Sequence, residues 1–383
     1  MDVKSVLTRP NQVVMRVIFR TDASTQIGTG HVMRCLTLAD ALSSRGADCQ
    51  FICRKHDGNL IDLIQKKGYL THALPADRAQ PGSSGALLDV GDPSPDHRHW
   101  LGTTQPEDVA ACKPILMTYK PDWLVVDHYG LDANWENPLR PYYKKLMVID
   151  DLADRTHHAD ILLDQTFGRP VEDYHPWVPS SCHVLCGSQY ALLRPEFHHL
   201  RPSSLARRKS PTLRHLLITL GGVDKDNVTS SVLQALRCTP LPADCRITVV
   251  LGHNAPKVEQ VKCEARDMPW KTRTVVGVNH MALLMVESDL AIGAAGTTTW
   301  ERCCLGLPTI TLVLAANQES VAKNLERAGA TLIVQRSDDL TERLNCLITS
   351  LVSQPAQLLT LSERSRHIVD GSGISSTVRA MEV

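Results

Sequence analysis

Residues 15–42, MRVIFRTDASTQIGTGHVMRCLTLADAL, decide the fold. MRVIF is a short apolar run of strand type, and IGTGHVMR (27–34) is a glycine-rich turn. From His31 onward apolar residues recur with helical period at Val32, Cys35, Leu36, Ala39 and Leu42, until Gly46 closes the segment. Strand, glycine turn and helix form a βα unit in which backbone N–H groups and a helix N-terminus face an anion. IGAAGTTTWER (292–302) repeats that plan after the apolar run SDLAIG. One such turn in each half predicts a phosphate-bearing ligand held between two domains.

Outward from the first unit, CQFICR (49–54) reads as a strand and NLIDLIQKK (59–67) as a helix. The Pro-, Gly-, Ser-, Asp- and His-rich segment 77–105 reads largely as an irregular surface insertion. DWLVVD (122–127) and KLMVID (145–150) are strands that end in aspartate, at the sheet edge where open α/β folds bind ligands. RPSSLARRKSPT (201–212) carries Pro, Ser and basic residues without apolar period and reads as a linker. Beyond it, HLLITL (215–220) runs into Gly221 and Gly222 and a helix from about Asn227, and RITVVLG, TRTVVG, SDLAIG and PTITLVL follow as strands. The expectation is an α/β chain of two similarly built domains, 15–203 and 204–383, facing across a cleft, with 1–14 as an N-terminal extension. The stretch Leu358–Met381, helical but broken at Gly371 and Gly373, is expected to pack back across the joint between them.

A chain of 383 residues suits two domains of roughly 150–200 residues. Lys+Arg and Asp+Glu balance at 41 each, so no overall field draws the protein to nucleic acid or an anionic membrane, and a small ligand is the natural partner. With no signal-peptide pattern in residues 1–14 and no apolar window of about 18 residues, a cytoplasmic monomer is expected. The 12 cysteines lack a disulfide spacing and read as reduced core residues. The pairs His97 and His99, His157 and His158, and His198 and His199 lack the spacing of a metal site and read as solvated surface histidines, so neither a metal nor a cofactor is expected.

In the first turn Gly28 and Gly30 leave room for close backbone approach, and His31 stands at the positive end of a helix, where the neutral, proton-accepting imidazole is favoured. That placement suits a general base, and equally a simple helix cap. In the second turn Gly296, Thr297, Thr298 and Thr299 offer amides and hydroxyls able to hold a diphosphate without metal or cationic side chains. Glu301 is placed to accept ribose hydroxyls, or only to complement the helix dipole. Asp127 and Tyr129 follow a strand directly, the former placed to order His31 or a water and the latter to bond a sugar substituent.

Six segments carry a resemblance to one family: FRTDASTQIGTGHVMRCLTLA (19–39), WLVVDHYGLDANWE (123–136), VIDDLADRTHHADILLDQ (148–165), YALLRPEF (190–197), GGVDKDNVT (221–229) and IGAAGTTTWERCCLGLP (292–308). They are similar to the UDP-2,4-diacetamido-2,4,6-trideoxy-β-L-altropyranose hydrolases of pseudaminic acid synthesis. The resemblance implies two Rossmann-like domains in the B-type glycosyltransferase architecture, and metal-independent hydrolysis by water attack on the anomeric carbon, with C–O cleavage and inversion. It places the general base on His31. Asp22, Asp127 and Tyr129 would serve sugar and water with it. Gly28, Gly30, Gly221, Gly222, Asn279, Gly296, Thr297, Thr298, Glu301, Asn317 and Gln318 would bind the UDP-linked diacetamido-trideoxy hexose. A glycosyltransferase on the same scaffold and a non-catalytic nucleotide-sugar binder are the alternatives.

Overall fold

A computed structural model describes residues 14–76, 97–335 and 338–382. The N-terminal sheet contains β1 (Arg16–Thr21), β2 (Asp48–Arg54), β3 (Leu70–Leu74), β4 (Trp123–Asp127), β5 (Lys145–Ile149), β6 (Ile161–Asp164) and β7 (His183–Cys186), in the order β3-β2-β1-β4-β5-β6-β7. The C-terminal sheet contains β8 (His215–Thr219), β9 (Arg246–Leu251), β10 (Lys271–Val276), β11 (Leu290–Ala294), β12 (Thr309–Leu312) and β13 (Leu332–Val334), in the order β10-β9-β8-β11-β12-β13. Every described pairing between strands is parallel. Central strands such as β4 and β11 are largely apolar and buried on both faces, and β1 is buried too but carries Arg20 inward, because helices cover both sides of a parallel sheet. The strand order reverses between β1 and β4 in one sheet and between β8 and β11 in the other. That reversal opens the crevice in which such sheets bind ligands, with both glycine-rich turns at it.

β3, β6, β7 and β13 were not legible as strands, being edge or near-edge runs of three to five residues. Residues 77–96 of the expected insertion lie outside the described residues. Beyond them, Arg98–Leu101 forms a 3-10 turn, and the helix Gln105–Tyr119 opens with a capping box between Thr104 and Glu107.

The expected linker is for the most part a helix, Pro195–Arg207. Its basic residues bond buried carbonyls of the C-terminal domain, which removes any apolar period from the pattern. Arg208, capping the helix, donates through Nε to the Leu305 carbonyl (3.0 Å), through Nη1 to Ser288 (2.8 Å) and through Nη2 to Met285 (2.9 Å). Arg201 donates to the carbonyls of Cys304 and Arg366. The chain returns as expected at its other end: after the helix Ala356–Ser365, the helix Gly373–Met381 leaves the C-terminal domain and packs on Gly30–Ser43. Val378 and Met381 enter the N-terminal core, and Trp123 Nε1 donates to the Met381 carbonyl (3.1 Å).

Two further expectations need correction. Cys238, Cys263 and Cys346 are exposed, not core, although all 12 cysteines are free. His157 is buried with Nδ1 2.6 Å from Glu136, and His97 packs on Trp100 and Tyr129, so neither is a solvated surface histidine.

Candidate active site

The N-terminal turn is built by local bonds. Ser24 Oγ accepts from the amides of Gln26 (3.1 Å) and Ile27 (2.9 Å), its carbonyl accepts from Gly28 (2.9 Å), and Gly28 takes the left-handed φ of 82° that closes the loop. Thr29 is the N-cap of Gly30–Ser43 but makes no side-chain cap bond, so the helix start faces the crevice without an internal acceptor. His31 is the second residue of that helix, and its Nδ1 lies 2.6 Å from Asp127 Oδ1.

Asp127 ends β4 and is fully buried. Burial alone would raise its pKa, yet Arg34 and His31 together hold the carboxyl well below the usual carboxylate range. An ionised carboxylate only accepts, so Nδ1 of a neutral His31 carries the hydrogen and Nε2 carries the lone pair. Asp127 therefore fixes the tautomer a general base needs. Arg34 grips the same carboxylate through Nε to Oδ2 (2.6 Å) and Nη2 to Oδ1 (2.8 Å).

Tyr129 stands edge-on to the His31 ring with centroids 4.6 Å apart. Its hydroxyl donates to Asp151 Oδ2 (2.8 Å) and its ring stacks on Trp100 at 5.7 Å, so it shapes a wall beside His31 and has no hydroxyl hydrogen left for a sugar. Asp22 differs from its expected role. Its carboxylate is fully buried, lies 2.7 Å from Arg20 Nη1 and accepts from the Arg54 amide (2.6 Å), with His128 Nε2 at 3.4 Å and His56 Nε2 at 3.6 Å. Burial works against ionisation there, but Arg20 and the histidines hold the carboxyl far below its ordinary value. Its partners are thus an internal arginine and a backbone amide, directly after β1.

Across the crevice, β8 leads into Gly221, at φ 103°, and Gly222, and Asp224 accepts from the amides of Val228 (2.9 Å) and Thr229 (3.0 Å). β11 leads into Gly296 and Thr297, both exposed, and then the helix Thr298–Cys304, whose N-cap Thr297 makes no side-chain cap bond. Of the three threonines, Thr297 is exposed, and Thr298 is half-buried with its hydroxyl accepting from Arg302. Thr299 is buried and donates to the Ala294 carbonyl (3.3 Å), a bond set by Arg302 beneath the turn. Arg302 donates to Thr298 Oγ1 (3.1 Å), Thr299 Oγ1 (3.1 Å) and the Ala294 carbonyl (2.7 Å). Burial lowers its pKa to about 10, so it remains a cation at neutral pH. The turn is thus backed by a positive charge that motif reading missed.

Glu301 lies 3.6 Å from Arg194 Nη2, and burial pushes its pKa up to about 7 against the opposing pull of Arg194 and Arg302. Gln318 Oε1 is engaged by the Leu314 amide (3.1 Å), while Asn279 and Asn317 are exposed.

The two turns meet. A Cβ added to Gly30 would lie 3.2 Å from Thr297 Cγ2, and one added to Gly222 would lie 2.5 Å from Thr29 Oγ1. Asn254 Nδ2 donates to the Gly58 carbonyl (3.0 Å) and Asn324 Nδ2 to that of Phe167 (3.3 Å), flanking the contact on either side. The helix start that carries His31 and the glycine-threonine helix start therefore share one crevice. Among the described residues no cluster of three or more His, Cys, Asp or Glu could hold a metal ion, and no helix is long and apolar enough to cross a membrane.

Trp100, Arg34, Arg194 and Arg302 also belong to this site; the three arginines stand inside the quoted segments IGTGHVMR, YALLRPEF and IGAAGTTTWER without a role read for them, and Trp100 lies outside any motif. Arg34 alone was accessible to sequence reasoning, since it stands three residues after His31 on one helix face.

Comparison with known proteins agrees with this geometry. Residues 215–373 match the glycosyltransferase family 28 C-terminal domain. Over 316 residues the chain is 27% identical to the UDP-2,4-diacetamido-2,4,6-trideoxy-beta-L-altropyranose hydrolase of Campylobacter jejuni, covering 82% of this chain and 97% of that relative. The structure of MurG from Acinetobacter baumannii is similar with a TM-score of 0.66 at 17% identity, covering 96% of this chain and 99% of that one. TcCGT1, solved in complex with UDP, is similar with a TM-score of 0.62 at 12% identity, covering 96% and 98%. The architecture is that of B-type glycosyltransferases, and the family resemblance carried by the motifs holds along most of the chain.

Proposed function

We propose that this chain, similar over most of its length to a UDP-sugar hydrolase and built on a glycosyltransferase scaffold, hydrolyses UDP-2,4-diacetamido-2,4,6-trideoxy-β-L-altropyranose to UDP and the free sugar. The observation that carries the reading is the His31–Asp127 pair at a helix start that touches the Gly296–Thr297 turn of the other domain. In this reading the N-terminal domain, 15–203, supplies base and sugar contacts, and the C-terminal domain, 204–383, holds UDP.

His31 Nε2 takes a proton from water as the water oxygen bonds to the anomeric carbon on the face opposite UDP. The C–O bond to the diphosphate breaks with its electron pair going to UDP, and the sugar inverts. Asp127 stabilises the imidazolium that forms. The turn amides at Gly296 and Thr297, with Arg302 behind them, stabilise charge developing on the diphosphate. Glu301 accepts the ribose hydroxyls. Trp100 and Tyr129 present aromatic surface to the deoxy sugar. The reading includes a cytoplasmic, monomeric, metal-independent enzyme.

The test is incubation with a panel of UDP-linked diacetamido-trideoxy hexoses in heavy-oxygen water after exhaustive chelation. Free sugar carrying the label, unlabelled UDP, and an inverted anomer in the first NMR spectra are expected. Label in the phosphate, or activity that returns only with a divalent ion, overturns the mechanism. The scaffold favours one second reading, transfer of the sugar to a hydroxyl acceptor. It would appear as turnover that requires an acceptor, with no free sugar formed in water alone.

A further inference from the structure

We propose that Arg34 is the positioning residue of this site: it clamps Asp127 in one plane, aims a carboxylate oxygen at His31, and sets how tightly the His31–Asp127 pair holds a proton. The inference rests on the proposed role of His31 as base but concerns a residue outside that reading.

The geometry is specific. Arg34 and His31 are three residues apart on one helix, and the guanidinium meets Asp127 side-on with two bonds, Nε to Oδ2 at 2.6 Å and Nη2 to Oδ1 at 2.8 Å. Oδ1, the oxygen so fixed, is the one 2.6 Å from His31 Nδ1. A planar fork holds a carboxylate in orientation as well as in place, which an ammonium cannot do. Arg34 is 4% exposed and Asp127 is 0% exposed, so water screens neither.

Charge counting gives the second role. An isolated buried carboxylate touching His31 would favour imidazolium and use up the lone pair before water arrives. Arg34 offsets that carboxylate. Its third nitrogen, Nη1, donates to Asp151 Oδ2 at 2.5 Å, and the same oxygen accepts from Tyr129. Asp151 therefore draws part of the guanidinium charge away from Asp127 and tunes the offset. Other groups also surround His31, among them His97, whose ring packs on Trp100 and Tyr129 beside it. Cys35 lies on the same helix with Sγ 3.5 Å from Asp127, and Tyr129 and His128 follow β4. Trp100 and Thr297 are uncharged. Farther out, Asp22 faces His128, and the Arg155 guanidinium lies 5.7 Å from the Tyr129 ring centre.

The experiment is an NMR titration of the His31 imidazole, assigned by its loss in His31→Asn, in the wild-type chain, Arg34→Gln, Arg34→Lys and Asp151→Asn. In Arg34→Gln the midpoint rises by about one pH unit, a tenfold tighter proton. In Asp151→Asn it moves the other way by a few tenths of a unit, roughly twofold. Arg34→Lys keeps the charge and loses the fork, so its midpoint stays near wild type while turnover falls. Unmoved or same-direction midpoints in Arg34→Gln and Asp151→Asn overturn the proposal. Should Arg34→Gln not fold, an unmoved or raised midpoint in Asp151→Asn overturns it alone. The titration needs no substrate, so it can fail while UDP-sugar hydrolysis stands, and hold in a chain that hydrolyses nothing.

Discussion

The two halves of the molecule share a plan and differ in what they place at the ends of their central strands. In the N-terminal domain β4 and β6 end at Asp127 and Asp164, β1 and β5 run directly into Asp22 and Asp150, and buried arginines thread between them: Arg20 to Asp22 and Asp108, Arg34 to Asp127 and Asp151, Arg155 to Asp150. In the C-terminal domain β8 and β11 end in glycine, alanine and threonine, with the cation Arg302 set below the β11 turn. A fixed set of paired charges orients a titrating group. Bare backbone at a helix start approaches an anion closely and asks for no partner. The same fold thus serves opposite electrostatic tasks on the two sides of one crevice.

The sharpest way to break that contrast is to remove the titrating group. His31→Asn is expected to lower turnover by about a hundredfold or more while UDP affinity measured by calorimetry stays within about twofold. Loss of UDP affinity with turnover of bound substrate intact would make His31 a cap.

Acid separates the two halves next. Asp108, buried under Arg20, Arg54 and Trp135 Nε1, has its pKa lowered to about 2; burial opposes this and Arg20 is the chief cause. Its folded value lies below its unfolded value, so its stabilisation is present above about pH 4 and is lost as pH falls toward 2. That amounts to about 2–3 kcal/mol. Hydrogen exchange followed from pH 7 to pH 3 is expected to open β1, β2 and β4 before β8, β9 and β11. Simultaneous opening contradicts the contrast.

A smaller effect belongs to Glu301. If the ribose is held by its carboxylate, UDP binds the ionised form, and wild-type affinity rises as pH climbs through about 7. Glu301→Gln is expected to bind UDP about tenfold more weakly, with a flatter pH profile, since charge-assisted bonds are each worth about 1.5–3 kcal/mol. An unchanged UDP affinity with a lowered melting temperature would assign Glu301 to the helix dipole instead.

The smallest effect is expected at the seam. Gly222→Ala places a Cβ 2.5 Å from Thr29 Oγ1 and should cost severalfold in turnover by holding the two turns apart. Thr29→Ala should restore it, because Thr29 makes no side-chain cap bond that its loss would break. A Gly222→Ala defect that Thr29→Ala leaves unrepaired would mean the turns do not need to touch.

What could be read from the chain follows the same physics. Both glycine turns, the long strands and the broken C-terminal helix were legible because they rest on local pattern. His31 and Asp127 were legible as candidates, with Asp127 read as ordering either His31 or a water; their bond spans 96 residues, so only the fold decides between those partners. Asp22 misled for a related reason: a strand-end aspartate reads the same whether it faces the crevice or, as here, an internal arginine. Trp100 was lost in a segment of loop composition. The expected linker failed because arginines that cap carbonyls look like arginines in solvent until the carbonyls are in view.

The helix Gly373–Met381 fixes an order of assembly. The N-terminal core is closed by Val378 and Met381, and Gly373 is pressed so near the Ala191 carbonyl that an added Cβ would lie 2.4 Å from it. These residues leave the ribosome only after the whole second domain has been made. Until that synthesis is complete, the apolar face of Gly30–Ser43 and the Trp123 indole lack the helix that covers them. A chain stopped before Gly373 would be left with that gap in the domain synthesised first, far in sequence from the point of truncation.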